Sequence, residues 1–229
     1  MKNFIAMLLF LCFTGLVYAD STFVAKVHSG AIMGRPAKDT TMTTYIKGKK
    51  ERMNLTDEGQ WMMIDLDQNK MYMVDDTKKT AMVGSADQIK KMGSMIMGNQ
   101  KLKATVQKTG KSESVAGVPC DEYSLTTTGE GFMKMNGTFC MADISSSEYE
   151  PFKEYGQDFM KWLGADELAK LKGVPVKSNT QMSMAGQNME SSYEVTSIKH
   201  DPVPDSKFAI PGDYKISEMP AMPQQPQHP

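Results

Sequence analysis

The chain has 229 residues, with 26 basic against 27 acidic side chains, 22 methionines and 3 cysteines. Such an even charge balance, with no Lys/Arg cluster among aromatics, excludes the electrostatic footprint of a nucleic-acid binder. Past the N-terminus no stretch approaches the roughly 20 apolar residues that span a bilayer, and the length suits one domain with a sizeable core.

The opening MKNFIAMLLFLCFTGLVYA carries Lys2, an apolar run from Phe4 to Val17, and small residues at Val17 and Ala19. This is the pattern of a secretory signal peptide over residues 1–19, cut after Ala19, and it places the mature protein in the periplasm or outside the cell. Phe10 and Leu11 are too bulky for a lipoprotein cleavage site before Cys12. Cys120 and Cys140 are the cysteines left after cleavage, and in an exported chain their default state is a disulfide, with a thiolate metal pair as the competing reading.

From Ser21 to Val83 the chain reads as strands. TTMTTYIKGKKERMNL is rich in strand formers around a Lys-Gly-Lys turn. WMMIDLDQNKMYMVDD reads as two short strands joined by a polar turn, with Trp61 and Met63 on one face and Met62, Ile64 and Leu66 on the other. Both faces are apolar, so both need covering. At Ser85 the period changes: Ser85 and Gln88 form a capping box, Ile89, Met92 and Ile96 share a helical face, and Gly98 ends the segment.

Strands resume over 102–109, 120–128 and 134–144, with Gly110 and Gly129 to Gly131 in the turns, which puts Cys120 and Cys140 on consecutive strands. Ser147 and Glu150 make a second capping box before a helical stripe of Phe152, Tyr155, Phe159, Trp162 and Leu163, with a further short turn over 166–172. Two closing strands flank Ala185-Gly186. The tail places Pro220, Pro223, Pro226 and Pro229 three apart, on one ridge of a polyproline II helix, and its composition predicts disorder from 217 to 229.

Catalytic signatures are missing. His28, His200 and His228 are scattered, and there is no nucleophile elbow, phosphate loop or calcium loop. The expectation is a protein that is not an enzyme and has no cofactor. What stands out is methionine. Met71 and Met73, Met133 and Met135, and Met182 and Met184 form Met-x-Met pairs, and residues two apart on a strand share a face. Thioethers suit either an adaptable apolar cavity or a soft metal such as Cu(I).

Three stretches carry a family resemblance: SVAGVPCDEYSL (114–125), GTFCMADI (137–144) and DSKFAIPGDYKI (205–216). They resemble the LolA/LolB-type lipoprotein-carrier superfamily, and more closely an exported bacterial domain-of-unknown-function family related to it. The resemblance implies an α+β fold over 20–216, a long curved antiparallel sheet or half-open β-barrel with short helices packed on its concave face. In the carriers that face holds acyl chains.

The reading that follows is a periplasmic binding or carrier protein that takes a hydrophobic small molecule or lipid, with envelope proteins as possible partners and no nucleic acid. Its expected cavity and lid residues are Trp61, Met63, Met73, Ile89, Met92, Ile96, Phe152, Phe159, Met182 and Met184. Two alternatives stand beside it. One is a Cu(I)-binding protein using Met71, Met73, Met133, Met135, Met182 and Met184; the other is a structural or stress-related envelope protein without a ligand.

Overall fold

The computed structural model describes residues 20–31, 36–55, 59–85, 88, 103–128, 133–144, 149–150, 152–153, 156–157, 166–184 and 187–219. The expected signal peptide, most of the two expected helices and the proline tail from 220 lie outside them. Among the described residues no helix is long and apolar enough to cross a membrane.

Six strands run in sequence as an antiparallel meander: β1 (Ser21–Ser29), β2 (Lys38–Lys47), β3 (Lys50–Asn54), β4 (Gln60–Asp65), β5 (Lys70–Asp75) and β6 (Thr80–Ser85). A second meander follows with β7 (Lys103–Val115), β8 (Val118–Thr128), β9 (Met133–Ala142), β10 (Val174–Met184) and β11 (Gln187–Lys199). Pairing of β1 with β11 fuses the two, and β12 (Lys215–Glu218) adds to β6 in parallel, giving one 12-stranded sheet ordered β12-β6-β5-β4-β3-β2-β1-β11-β10-β9-β8-β7. Helix is sparse among the described residues: α1 (Asp166–Ala169), a 3₁₀ turn at Asp205–Phe208 and isolated helical positions. The expected long, curved, open antiparallel sheet is present. The short helices expected on its face fall mainly outside the described residues, although Phe152 is buried in the larger core and Tyr149 packs edge-on against Phe23 at 5.2 Å.

Local chemistry explains most turns. Gly48 takes a positive φ in the Lys-Gly-Lys turn, and Asp65 fastens the next turn by accepting the Gln68 N–H at 3.0 Å. The capping box forms as read: Ser85 N–H donates to Gln88 Oε1 at 2.7 Å, and Gln88 N–H donates to Ser85 Oγ at 3.3 Å. Two expectations need correcting. Gly110 is no turn; its φ of +83° lies within β7 at a shift of register between Lys108 and Ser112, and the β7–β8 turn falls at Ala116-Gly117. A glycine in the left-handed region marks a bulge as readily as a turn. The domain does not stop at 216 either: β12 runs to Glu218, and the Met219 N–H donates to Val83 O at 2.8 Å.

Alternation divides the sheet into two faces. On one, Trp61, Met63, Val74 and Ala81 form a core with Val203 and Phe208, contributed by the segment that returns after β11. That segment is clamped by polar contacts. Trp61 Nε1 and the Tyr214 hydroxyl both donate to Asp76 Oδ1, at 2.8 and 2.9 Å; Arg52 stacks 3.8 Å over the Trp61 ring while donating to Lys207 O at 2.7 Å. Lys47 donates to Val203 O at 2.8 Å and pairs with Asp205. Trp61→Ala removes the ring on which Arg52 stacks and leaves a cavity, so it should cost about 3–5 kcal/mol. Urea unfolding would check this, with amide exchange showing loss of protection over residues 201–219.

The other face carries Phe23, Ala25, Ile46, Ile64 and Val195, which join Val115, Val176 and the two cysteines in the larger core. Cys120 on β8 and Cys140 on β9 are disulfide-bonded with Cα atoms 5.4 Å apart, closing a loop between residues separated by 20 positions. Such a loop contributes about 3 kcal/mol by restricting the unfolded chain. The Cys120→Ala/Cys140→Ala variant should therefore lose about that much in denaturant unfolding, and a loss near zero would mean the unfolded chain is already restricted there.

Candidate functional site

Strand register assembles the methionines in a way their spacing alone does not show. Met53 on β3 lies opposite Met62 on β4, Met62 opposite Met73 on β5, and Met73 opposite Met82 on β6. The row continues through Thr44 on β2 to Phe23 on β1 and Ile198 on β11. One apolar line thus crosses seven adjacent strands, interrupted by Thr44 alone. Neighbours in such a row have Cβ atoms about 4.5–5.5 Å apart, so the four methionines form a continuous thioether surface. Met73 and Met82 are each 40% exposed. Beside this row, Met219 reaches over Gly84: a Cβ there would meet the Met219 sulfur at 2.6 Å.

The parallel row holds Ile46, Glu51, Ile64, Met71 and Gly84. Glu51 is the anomaly in it. Its side chain is half-buried between apolar neighbours, no hydrogen bond or ion pair reaches it among the described residues, and burial pushes its pKa up to about 7. Tyr193 is likewise pushed up to about 12, first by burial and then by the charge of Glu51. Glu51 and Tyr193 sit on β3 and β11, with β2 and β1 between them.

Among the expected cavity residues, Trp61 and Met63 are buried on the opposite face, in the core with Val203 and Phe208. Met63 lies opposite Tyr72, whereas Met73 lies opposite Met62. The expectation that Met63 and Met73 share a wall is therefore corrected: on adjacent hairpin strands the parity of the register puts them on different faces. Phe152 is buried and Met182 half-buried, while Ile89, Met92, Ile96, Phe159 and the Met184 side chain lie outside the described residues. Sequence reasoning missed Met53, Met62, Met82 and Glu51. The signal was present in KERMN, where Glu51 and Met53 alternate onto one face.

The six methionines offered as one metal set do not converge, because Met71 and Met73 lie on β5 and the other four on β9 and β10, at the far side of β1. Glu113, Cys120 and Cys140 bring ligand atoms within 4.8 Å of one another, but the two sulfurs are bonded to each other and offer no thiolate. Ser21 Oγ and His200 Nδ1 stand 3.0 Å apart, yet Ser21 is fully buried, so the pair ties the start of β1 to the end of β11 and presents no accessible nucleophile. A cavity of about 490 Å³ lies on the other face of β9, β10, β11 and β1, lined by polar groups including His28, Asn136, Asn179, Gln181 and Glu190. It includes none of the expected apolar residues.

A family model described as Domain of unknown function (DUF4412) matches residues 32–214. The chain belongs to the DUF4412 family. No curated protein matches it. Solved structures similar to this DUF4412 chain include an uncharacterized conserved protein from Thermus thermophilus, with 6% identity, 89% of this chain and 92% of that chain covered, and a TM-score of 0.45. A LolA superfamily protein from Nitrosomonas europaea, NE2245, is similar at 10% identity, covering 84% of this chain and 91% of that one with a TM-score of 0.33. PNGF-II is similar at 12% identity and a TM-score of 0.41 over 88% of this chain, which spans only 31% of that protein. The expected membership of a domain-of-unknown-function family is met by the family match.

Glu51 supplies a pH signature. Its ordinary pKa of 4.5 is raised on folding, so below that value both states are protonated and nothing is lost. As pH rises from about 4.5 to about 7 the unfolded carboxyl ionises while the folded one stays neutral, and stability falls across that window. Glu51→Gln should abolish the fall, leaving the variant on the order of 3 kcal/mol more stable than the parent at pH 8 and equal to it at pH 4. Chemical denaturation at the two pH values measures it.

Proposed function

We propose that this protein is an exported, non-enzymatic binding protein that holds an apolar chain, such as the acyl portion of a lipid, along the concave face of its sheet. The observation that carries the reading is the row of Met53, Met62, Met73 and Met82, continuous with Phe23 and Ile198 and partly open to solvent. The methionine part alone spans three interstrand spacings of about 4.8 Å, roughly 14 Å, which is the shape of an extended chain and too long for one ion. Unbranched thioether side chains repack at little cost, which suits a surface that is covered in one state and uncovered in another.

Glu51 fits the same role. A lone carboxyl on the apolar face is costly to ionise, and it becomes useful when a ligand brings a polar head beside it. The helices expected over 85–98 and 147–164, with Met92, Ile96 and Phe159, would cover the chain once loaded. The disulfide and the N-terminal pattern support an oxidising compartment such as the periplasm.

The test uses the mature protein, purified without detergent, and a fluorescent fatty acid. The parent should bind it, and Met73→Asp, chosen because the side chain is 40% exposed, should weaken binding at least tenfold with the circular dichroism spectrum unchanged. Equal affinity in parent and variant would overturn the reading.

A further inference from the structure

The far end of the sheet carries a second methionine group with different surroundings. Met135 on β9 lies opposite Met182 on β10, and Met182 opposite Met189 on β11. All three are half-buried, and none belongs to either hydrophobic core or packs against one. The row beside them holds Ser191, Thr180 and Gly137 and continues to Leu125 on β8, which is 1% exposed. Gly137 cannot be larger, since a Cβ there would come within 2.3 Å of Asn179 O. On the reverse face, Asn136, Gln181 and Glu190 line the polar cavity.

The backbone holds them in place. Thr127 Oγ1 accepts from the Met135 N–H at 2.6 Å and donates to Met135 O at 3.0 Å, fixing β9 at the point where its ladder with β8 ends. The pairings of β9 with β10 and of β10 with β11 fix the other two. One row further, the backbone register sets Met133 opposite Met184.

We propose that Met135, Met182 and Met189 form a binding site for a soft monovalent cation of the Cu(I) type, with the ion seated over Met182 and the flanking thioethers leaning in from either strand. Neighbouring Cβ atoms about 4.5–5.5 Å apart let flexible Met side chains bring three sulfurs to one centre. Neutral sulfur donors prefer soft ions over Zn²⁺ or Ca²⁺, and they have no proton to lose. Affinity should therefore be flat between pH 5 and 8, unlike that of a histidine or thiolate site, whose ligands must deprotonate. The site shares no residue with the row proposed for the apolar chain, so either can fail alone.

The experiment is a competition between the mature protein and a chromophoric Cu(I) chelator, with ascorbate to keep copper reduced and the disulfide intact. The expected result is one Cu(I) retained per chain with equal affinity at pH 5 and pH 8. Affinity should fall at least tenfold in Met135→Leu/Met182→Leu/Met189→Leu, a near-isosteric change, while fatty-acid binding persists. If the triple variant folds poorly, Met182→Leu alone, at the centre of the row, should show the same direction of change. Failure to retain Cu(I) against the chelator, undiminished binding in these variants, or loss of binding in Met73→Leu/Met82→Leu instead would each overturn the proposal.

Discussion

Everything in this fold hangs on the pairing of β1 with β11. Each meander is a sequence of local hairpins, but only the ladder running from Thr22 opposite Lys199 to Ser29 opposite Ser191 makes them one sheet. Its residues are correspondingly well buried: Phe23, Ala25 and Val195 are each at most 3% exposed. A shift of register between Val24 and Ala25 bends the ladder where the two halves meet, and such irregularities raise the local twist and curvature. With the seam placed there, the methionine row of β3 to β6 becomes continuous with Phe23 and Ile198, and Glu51 is brought within electrostatic reach of Tyr193.

The seam also explains why the chain continues past β11. A meander apolar on both faces, as β4 to β6 is, gains from cover on each. One face is taken by the returning segment, whose Val203 and Phe208 complete the Trp61 core and whose carbonyls are held by Lys47 and Arg52. The same segment supplies β12, which occupies the exposed edge of β6 in parallel. Covering one face in this permanent way leaves the opposite face as the one with thioethers open to solvent.

Much of this was legible in the sequence, and the limit has a physical cause. The hairpin of Trp61 to Val74, the capping box at Ser85 and Gln88, the turn at Gly48 and the pairing of Cys120 with Cys140 are local matters or follow from consecutive strands. Alternation assigned Trp61 and Met63 to one face and Ile64 to the other correctly, since period two is a property of one strand. Placing Met63 beside Met73 required the register between two strands, and a one-residue error there inverts every side chain. The β1–β11 seam, the parallel β12 and the convergence of Met135, Met182 and Met189 depend on contacts between distant strands, and no single segment encodes them. Glu51 was overlooked for a related reason: in KKERMN it looks like one more solvated charge, and only the neighbours supplied by Ile46 and Ile64 make it unusual.

Why methionine, when leucine packs as well? The two groups give different answers from one side chain, and their surroundings decide. Along β3 to β6 the thioethers extend in a line, share their face with Phe23, Ile46 and Ile64, and are partly open, so their flexibility is what matters: the surface can close on itself or on a chain of variable shape. At β9 to β11, among the described residues, they lie outside both cores, beside a row of Ser191, Thr180, Gly137 and Leu125. What remains distinctive about methionine at that end is its sulfur, a neutral donor that holds its character at any pH and is not consumed by the oxidation that joins Cys120 to Cys140. A single enrichment in composition thus falls into two groups, with β2 and β1 between them in the sheet.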